Sequence, residues 1–440
     1  MKKTISNFIK ISSILSIIPI ANSCTSNKIV FANYESYMSE EVIHKLQSKN
    51  NIAFLPYETN EEIENKFSGY YDVAVPSTYE VIKLKKQNQL EKINWEIFDL
   101  TVNGNKIKNG KEALQSGIFS AAVCTLINGL DEEYVKNGSL DNDESVLDYG
   151  IPYFLQSFAF AYKGTEIEQL SKSKNWSELL SCINSNNKDL DPRFTPYKER
   201  KIAIVDDARS MFGLANSINS EGVNPDSSVK SIRNFANIYN DFSSNFAKKY
   251  TYFNTDSGQI ISTLAKPYPA GASCAIAYNG DLLYAAQGAG LYEASKSTDF
   301  HFCKLDKTLI ALDMVVINKK CQNNLSKKQK IYEIVKDICL SGVNDGEIIS
   351  DTNLDGSFKY DSVNNFDYVE YTSPLSKIYD FVMNGDYFDG YTKSQIELYR
   401  QIFNIDSEEV KDVNYIEQEM QSELAKSNLH WAYMNMKYNM

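Results

Sequence analysis

The sequence predicts an α/β protein built on parallel sheets, and its 440 residues are enough for two lobes with separate cores. Short apolar runs, each about as long as one strand, alternate with helical patterns along most of the chain. Each run ends in a cluster of Tyr, Ser, Asn or Asp. Because ligands of parallel α/β sheets bind at the carboxyl ends of the strands, these clusters are the predicted binding site.

The first 23 residues have the pattern of an export signal. Two lysines form a basic start, an apolar stretch follows, and small or polar residues lead into Cys24. The apolar stretch is too short for an ordinary membrane-spanning helix. The cysteine after it resembles a bacterial lipoprotein cleavage site, although Ala21 stands where leucine is usual. We therefore predict a signal peptide at 1–23, lipid attachment at Cys24 and a tether at 24–28, with a plain secretory signal or an uncleaved anchor as the alternatives.

The composition of the exported chain limits its partners. Removal of residues 1–23 leaves 417 residues with 42 basic and 57 acidic side chains, a formal charge of −15. This charge argues against nucleic acid and is compatible with a cationic ligand, although solubility alone also explains it. No later apolar stretch has the length of a membrane span. The six cysteines after Cys24 form no CxxC pair and are predicted to be buried small hydrophobes, with one oxidised pair left open.

The elements follow one another in a regular order. Predicted strands and the polar clusters after them lie at 29–32 with 33–37, at 72–75 with 76–79, at 201–205 with 206–209, and at 274–277 with 278–281. A helix with Val42 and Leu46 on one face follows the first cluster. Thr59 and Glu62 form a predicted capping box, and Ser326 is the predicted cap of a later helix. The alternation continues through two thirds of the chain.

The last third is more polar. Residues 345–368 are rich in Asp, Asn, Gly and Ser and are predicted to form a long loop. Within it, 351–362 resembles a calcium loop, but Ser362 stands where a bidentate glutamate is expected, so a polar turn is the favoured interpretation. Residues 394–440 contain two helical patterns. The second is polar over 417–426 and then rich in Met and aromatic residues, which are predicted to pack rather than to bind.

No catalytic set is visible in the sequence. The histidines are His44, His301 and His430, and they are isolated from one another along the chain. The chain contains no HExxH, no GxSxG, no Walker loop and no complete GxGxxG. We therefore predict no enzymatic activity, no cofactor and no metal site. A hydrolase, which would need a nucleophile–base pair, is the weaker alternative.

The ordered series of strand-end motifs resembles the spermidine/putrescine-binding lipoproteins of bacterial polyamine ABC transporters. The motif YDVAVPSTY at 71–79 carries the strongest resemblance. Further motifs, in the same order as in that family, are NYESY at 33–37, YETNE at 57–61, IPY at 151–153, WSEL at 176–179, DDAR at 206–209, YNG at 278–280, LD at 312–313 and YTSP at 371–374. The resemblance spans 28–375 with insertions, and it implies a two-lobed periplasmic-binding-protein-like fold of type II, with a ligand cleft between the lobes.

The resemblance also implies an organisation and a set of partners. Lobe 1 would comprise 29–157 and 312–372, and lobe 2 would comprise 158–311 and 373–440. The ligand would be a small cationic solute, a polyamine. The chain would act as a monomer, anchored by its lipid to the extracellular face of the cell membrane, beside an ABC permease and its ATPase.

A polyamine site has definite chemical requirements. Each ammonium group needs a carboxylate or several acceptors once water is excluded, and the methylenes suit aromatic faces. Asp207 and Asp313 match acids of the family, although each could instead cap a helix or a strand. Arg209 is expected to pair with an acid. The predicted ligand-binding residues are Tyr34, Glu35, Ser36, Tyr37, Ser77, Tyr79, Asp207, Ser210, Tyr278, Asp313 and Tyr371.

Three positions depart from the family pattern. Ser36 and Ser210 stand where the family has acids, and Ala311 stands where it has a tryptophan. Spermidine bound in the family's usual manner would therefore be poorly satisfied. Either Glu35 or Asp281 compensates, or the ligand is a diamine or another organic cation, with room at Ala311 for a larger one. A decayed cleft on an adhesive or structural lipoprotein is the remaining alternative.

Overall fold

The computed structural model describes residues 28–184, 202–218, 251–255, 257–295, 298–417 and 423–439. The predicted signal peptide and Cys24 lie outside the described residues. The described strands are β1 (Ile29–Tyr34), β2 (Ile52–Tyr57), β3 (Val73–Ala74), β4 (Thr101–Val102), β5 (Asn105–Lys106), β6 (Ile151–Lys163), β7 (Ile202–Val205), β8 (Thr251–Asn254), β9 (Cys274–Tyr278), β10 (Phe300–Cys303) and β11 (Ile310–Ile317). Strands β1, β3, β7 and β9 lie where the four strands were predicted, and they confirm the predicted alternation.

Helices connect most of the strands. They are α1 (Glu40–Lys49), α2 (Asn60–Lys66), α3 (Thr78–Lys86), α4 (Gly110–Gln115), α5 (Ala121–Lys136), α6 (Glu168–Ser171), α7 (Trp176–Asn184), α8 (Ala208–Ile218), α9 (Ser257–Ala265), α10 (Asn279–Ala286), α11 (Leu325–Leu340), α12 (Asp361–Val369), α13 (Ser376–Asn384), α14 (Lys393–Phe403) and α15 (Glu423–Asn439). Short 3₁₀ turns lie at Trp95–Phe98, Val146–Asp148, Lys319–Asn323 and Val413–Tyr415. Across the described ranges, no helix combines the length and apolar character needed to cross a bilayer.

One long strand joins two parallel half-sheets. The strand order is β2-β1-β3-β11-β6-β9-β7-β8. The first half-sheet has β1 parallel to β2 and β3, and the second has β7 parallel to β8 and β9. Strand β6 pairs with β11 over Ile151–Ser157 and with β9 from Phe158 onward. The two half-sheets form the two lobes of a type II binding-protein fold, which confirms the predicted class; the lobe boundaries stay a prediction.

The carboxyl ends of β1, β3, β7 and β9 lead directly into the predicted polar clusters. In a parallel sheet these ends lie at one edge, so residues far apart in sequence come together there. The apolar packing forms two clusters, and the larger one includes residues of both half-sheets. Phe31 and Val73 belong to the larger cluster, and Phe160 and Trp176 belong to the smaller one. The predicted site therefore rests on two half-sheets linked by β6 and β11.

Several local predictions need correction. Thr59 does precede α2 as its cap residue, but its side chain makes no capping hydrogen bond, because the backbone N–H of Glu62 donates to the carbonyl of Thr59. The carboxylate of Glu62 accepts from the backbone of Glu58 rather than of Thr59. Helix α11 begins at Leu325 and is capped by Asn324, whose side chain accepts from the backbone of Lys327, not by Ser326. The predicted loop at 345–368 ends at residue 360, because α12 follows.

The remaining local predictions concern the calcium-like segment, the C-terminal helix and the cysteines, and they are confirmed in part. The segment that resembles a calcium loop folds back on itself, with the backbone of Asn353 bonded to Ser357. In the C-terminal helix, Tyr433 and Met436 are packed as predicted, whereas Trp431 is exposed. Of the six cysteines after Cys24, four are buried and Cys124 and Cys182 are half-buried.

Candidate ligand-binding cleft

Asp313 is buried among the predicted ligand-binding residues. It sits on β11 at an irregularity of the pairing with β6, and such a bulge re-aims a side chain out of the regular sheet. Its carboxylate accepts hydrogen bonds from the hydroxyl of Ser77 at 2.7 Å, the hydroxyl of Tyr37 at 2.8 Å and the amide of Gln156 at 2.5 Å. Burial raises the pKa of Asp313 to about 6, although these three hydrogen bonds favour the charged form. The carboxylate is thus held in place by neutral donors alone.

Aromatic rings surround this carboxylate. The ring of Tyr37 lies 5.4–5.7 Å from the rings of four neighbours. These neighbours are Tyr34, Tyr153, Phe154 and Tyr371. The centroid distances and tilted or edge-on angles are those of favourable aromatic pairs. Ser77 is fixed separately, because its backbone and hydroxyl both bond to the side chain of Asn60 at 3.2 Å. An acid enclosed by aromatic faces is suited to an ammonium group with methylenes.

The second lobe adds a tightly fitted corner at the end of β9. Gly280 lies flat against the ring of Tyr371, and a Cβ on it would stand 1.5 Å from a ring carbon. Tyr371 in turn donates a hydrogen bond of 2.8 Å to Asp281. The fully buried Asn279 accepts from the backbone of Ser157 at 3.1 Å and donates to the hydroxyl of Thr372 at 2.9 Å. The sequence YNG at 278–280 is therefore a packing motif that positions two cleft tyrosines.

The end of β7 places three predicted residues on the first turn of α8. The carboxylate of Asp207 accepts from the backbone N–H of Ser210 at 2.7 Å, which is the geometry of a helix cap. The hydroxyls of Ser210 and Tyr278 lie 3.1 Å apart. The Arg209 guanidinium stands over the ring of Tyr79 at 4.2 Å. Asp207 therefore has a structural task, whether or not it also meets a ligand.

Arg209 connects the lobes. It forms an ion pair of 2.9 Å with Glu61, at the start of α2 in the first lobe. Burial opposes ionisation of Glu61, but the nearby guanidinium outweighs it, so the pKa of Glu61 is lowered. The expectation that Arg209 pairs with an acid holds in the structure. A second acid, Glu417, lies 3.4 Å from the same guanidinium.

Glu417 was not recognised from the sequence. Its segment, 417–426, was predicted to be the polar start of a helix, but Glu417 itself is not helical. Glu417 instead extends beside Ile310, whose carbonyl accepts its backbone N–H at 2.9 Å, and its side chain is buried. Burial raises the pKa of Glu417 to about 8, although Arg209 acts in the opposite direction. The one sign of this contact in the sequence is the apolar residue Ile416, which forms a bridge with Ile310. A single apolar residue is too short a pattern to predict a strand.

The structure brings most of the predicted ligand-binding residues into two groups. Tyr37, Ser77, Tyr371 and Asp313 form one connected group, and Ser210, Tyr278 and Tyr79 with Arg209 form a second. Tyr34 joins the first group through its ring contact with Tyr37. Glu35 and Ser36 are exposed, and Ser36 adopts a φ of +57°. Contact of any of these residues with a ligand stays a prediction.

The histidines give no catalytic arrangement with these groups. His44 and His430 are exposed on helices. His301 lies 2.8 Å from the carbonyl of Gly164 and stacks on Tyr162 in the second lobe. Among the residues for which the structure gives positions, no cluster of three His, Cys, Asp or Glu has the geometry to hold a metal ion.

Comparison with known proteins places this fold in a family. The model of the family described as "Hypothetical lipoprotein (MG045 family)" matches residues 1–440. The spermidine/putrescine-binding periplasmic protein of Escherichia coli K12 is 23% identical over 201 residues, which are 44% of this chain and 45% of that protein. The match thus spans less than half of that relative.

Two solved structures share the fold. The TpPotD lipoprotein of Treponema pallidum has a TM-score of 0.56 and 15% identity, over 94% of this chain and 100% of the other. Thiaminase I from Bacillus thiaminolyticus has a TM-score of 0.50 and 14% identity, over 92% and 99% of the two chains. The fold therefore occurs in a lipoprotein and in an enzyme.

Proposed function

The chain belongs to the MG045 family of hypothetical lipoproteins, and we propose that it is the solute-binding lipoprotein of an ABC importer, which captures a polyamine in the cleft between its lobes. One observation carries the proposal. Asp313 is 3% exposed and ringed by aromatic side chains, yet in the part of the chain that the structure describes no lysine or arginine pairs with it. A buried carboxylate without a cation is costly, and a cationic ligand removes that cost.

The surroundings of Asp313 select the kind of cation. The rings of Tyr37 and Tyr371 lie 5.5 Å apart. Cation–π attraction is worth about 0.5–2 kcal/mol for each ring face that a cation contacts. An ammonium group on a methylene chain uses both the carboxylate and the rings. A small hard metal ion would instead need several oxygen ligands at short distance. The relatives named above for spermidine and putrescine agree with this chemistry.

Delivery and location complete the proposal. A lipid on Cys24 would hold the protein at the extracellular face of the membrane, where the closed, ligand-bound form would dock on a permease driven by its ATPase. A monomer suffices, because both sides of the cleft come from one chain. We propose no catalytic activity.

Native mass spectrometry and thermal shift test the proposal on the chain from residue 24 onward. We expect a co-purifying small amine, or a rise in melting temperature with micromolar putrescine, cadaverine, spermidine or spermine. Butylamine, with one ammonium group, and magnesium chloride serve as controls. No shift with any of the four polyamines would refute the polyamine assignment.

A second candidate ligand is another organic cation. Ser36 and Ser210 provide only hydroxyls, and Ala311 has a small side chain where the resemblance implies a tryptophan. A bulky cation with a single delocalised charge fits such a reduced set of acids. A wider thermal-shift panel with thiamine and choline would distinguish it from a polyamine. A protein stabilised by no cation at all would favour a decayed cleft with an adhesive or structural role.

A further inference from the structure

The C-terminal segment reaches the cleft at Glu417. After α14, the buried side chains of Ile405, Val410 and Tyr415 fasten the chain to the body of the protein. Ile416 then forms a bridge with Ile310 at the start of β11, and the backbone N–H of Glu417 donates to the carbonyl of Ile310 at 2.9 Å. The backbone of Glu417 is therefore held beside the start of the strand that carries Asp313.

The neighbours of this carboxylate are the predicted ligand-binding residues. Its charge raises the pKa values of Tyr79 and Tyr278, after the larger effect of their own burial. Asp207 and Asp313 are close enough to raise the pKa of Glu417 in turn. Both lobes thus contribute groups around one point, and Glu417 lies among them although it comes from a distant part of the chain.

Glu417 shares its charged partner, Arg209, with a second acid. The side chain is 92% buried, since its exposed fraction is 8%. Within the described ranges, its one ion pair is with Arg209 at 3.4 Å, and Arg209 makes its shorter contact of 2.9 Å with Glu61. The buried hydroxyl of Tyr79, beneath the same guanidinium, has no hydrogen-bond partner among the described residues. Buried polar groups normally have partners, so the Tyr79 hydroxyl indicates that a ligand group belongs there, beside Glu417.

We propose that Glu417 is a ligand-binding carboxylate, and that Asp313 and Glu417 each receive one ammonium group of a diamine. This inference rests on the proposed function and specifies its ligand class. Asp313 and Glu417 are both buried carboxylates, and the hydroxyls of Ser77, Tyr79 and Ser210 are further partners. A dication would balance the charges of these two acids.

Glu417→Gln tests the inference, because it removes the charge and keeps the shape and the backbone bond to Ile310. Glu409→Gln is the matched control: Glu409 is a nearly buried acid on the same segment, and it pairs with Lys304 at 2.6 Å outside the cleft. Isothermal titration with putrescine and with butylamine measures how strongly each variant prefers the diamine to the monoamine. We expect Glu417→Gln to reduce this preference by about 10- to 100-fold, as for a lost charge-assisted hydrogen bond, and Glu409→Gln to leave it unchanged.

The possible outcomes separate the two proposals. Wild-type protein that binds none of the polyamines overturns the proposed function, and the role of Glu417 with it. Wild-type protein that binds putrescine while Glu417→Gln binds it equally well overturns only the role of Glu417. Equal losses for putrescine and butylamine, together with a lower melting temperature, would assign Glu417 to structure and would also overturn the inference.

Discussion

Replacement of Asp313 by asparagine should separate stability from binding. Burial raises the pKa of this carboxyl from 3.8 to about 6, so the folded state disfavours its ionised form by roughly 3 kcal/mol once the pH is well above 6. The folded protein binds the proton more tightly than the unfolded chain does. Its stability therefore falls as the pH rises from about 4 to 6, and the loss is complete at pH 7.

Asp313→Asn removes this penalty but changes the hydrogen bonds. The asparagine oxygen still accepts from Ser77 or Tyr37, whose hydroxyls rotate, whereas its amide conflicts with the donor amide of Gln156. One mismatched bond costs about 1–2 kcal/mol. We therefore expect the ligand-free variant to be more stable than wild type by about 1–2 kcal/mol at pH 7.5, and no more stable at pH 4.

The assay is urea denaturation at both pH values, together with titration of putrescine at pH 7.5. Loss of a buried charge partner typically costs several kcal/mol, so we expect at least a 100-fold weaker affinity. Gain of stability with loss of affinity is the signature of an acid kept for a cationic ligand. A variant that is less stable at pH 7.5 and still binds putrescine would refute the reasoning.

Two further predictions rest on the geometry of the site, and a third rests on the N-terminal sequence. Putrescine affinity should rise with pH, by up to tenfold per pH unit between pH 6 and 8 and more steeply below pH 6. The reason is that Asp313 and Glu417, with pKa values of about 6 and 8, must lose their protons to bind a ligand that stays positively charged. Titration in buffers of different ionisation enthalpy measures the released protons, and an affinity that does not change with pH would contradict this prediction. Gly280→Ala should cost roughly 3 kcal/mol of unfolding free energy and weaken binding, because its Cβ meets the Tyr371 ring, whereas Gly69→Ala, which meets nothing within 4 Å, should not; equal melting temperatures for the two variants would count against this packing. Cys24→Ser should release the protein from the membrane fraction and abolish labelling with a palmitate analogue, and retention on the membrane would indicate an uncleaved anchor instead.

The sequence allowed the strand ends to be predicted because each is a local pattern. The clusters after β1, β3, β7 and β9 were visible as short apolar runs followed by polar residues. The meeting of Tyr37, Ser77 and Asp313 was expected only through the family resemblance, since 276 positions separate the first from the last. Periodicity within one element carries no information about which distant element lies beside it.

Cap and boundary errors have local physical causes. Asn324 and Ser326 are both good capping residues, and their order along the chain does not show which one accepts from the first turn. Residues 361–369 contain two Asn and two Asp, which are weak helix formers, yet the apolar face of Val363 and Phe366 packs against the core and stabilises α12. Tertiary burial outweighed propensity there, as it commonly does for short helices.

The position of Glu417 explains how a cleft can keep its charge while the usual acids are absent. Ser210, on α8, and Glu417 both belong to the predicted second lobe, but Glu417 is bonded to the start of β11, the strand that continues to Asp313. In the proposed site, Glu417 takes the place of the acid that is absent at Ser210. Arg209 would then carry the change between states, because it joins Glu61 of the first lobe to Glu417 and can give up the second contact to an incoming ammonium group. One ammonium group of the ligand would replace Arg209 at Glu417, and the other would pair with Asp313. Closure of the lobes would therefore be favoured most by a molecule with two positive charges.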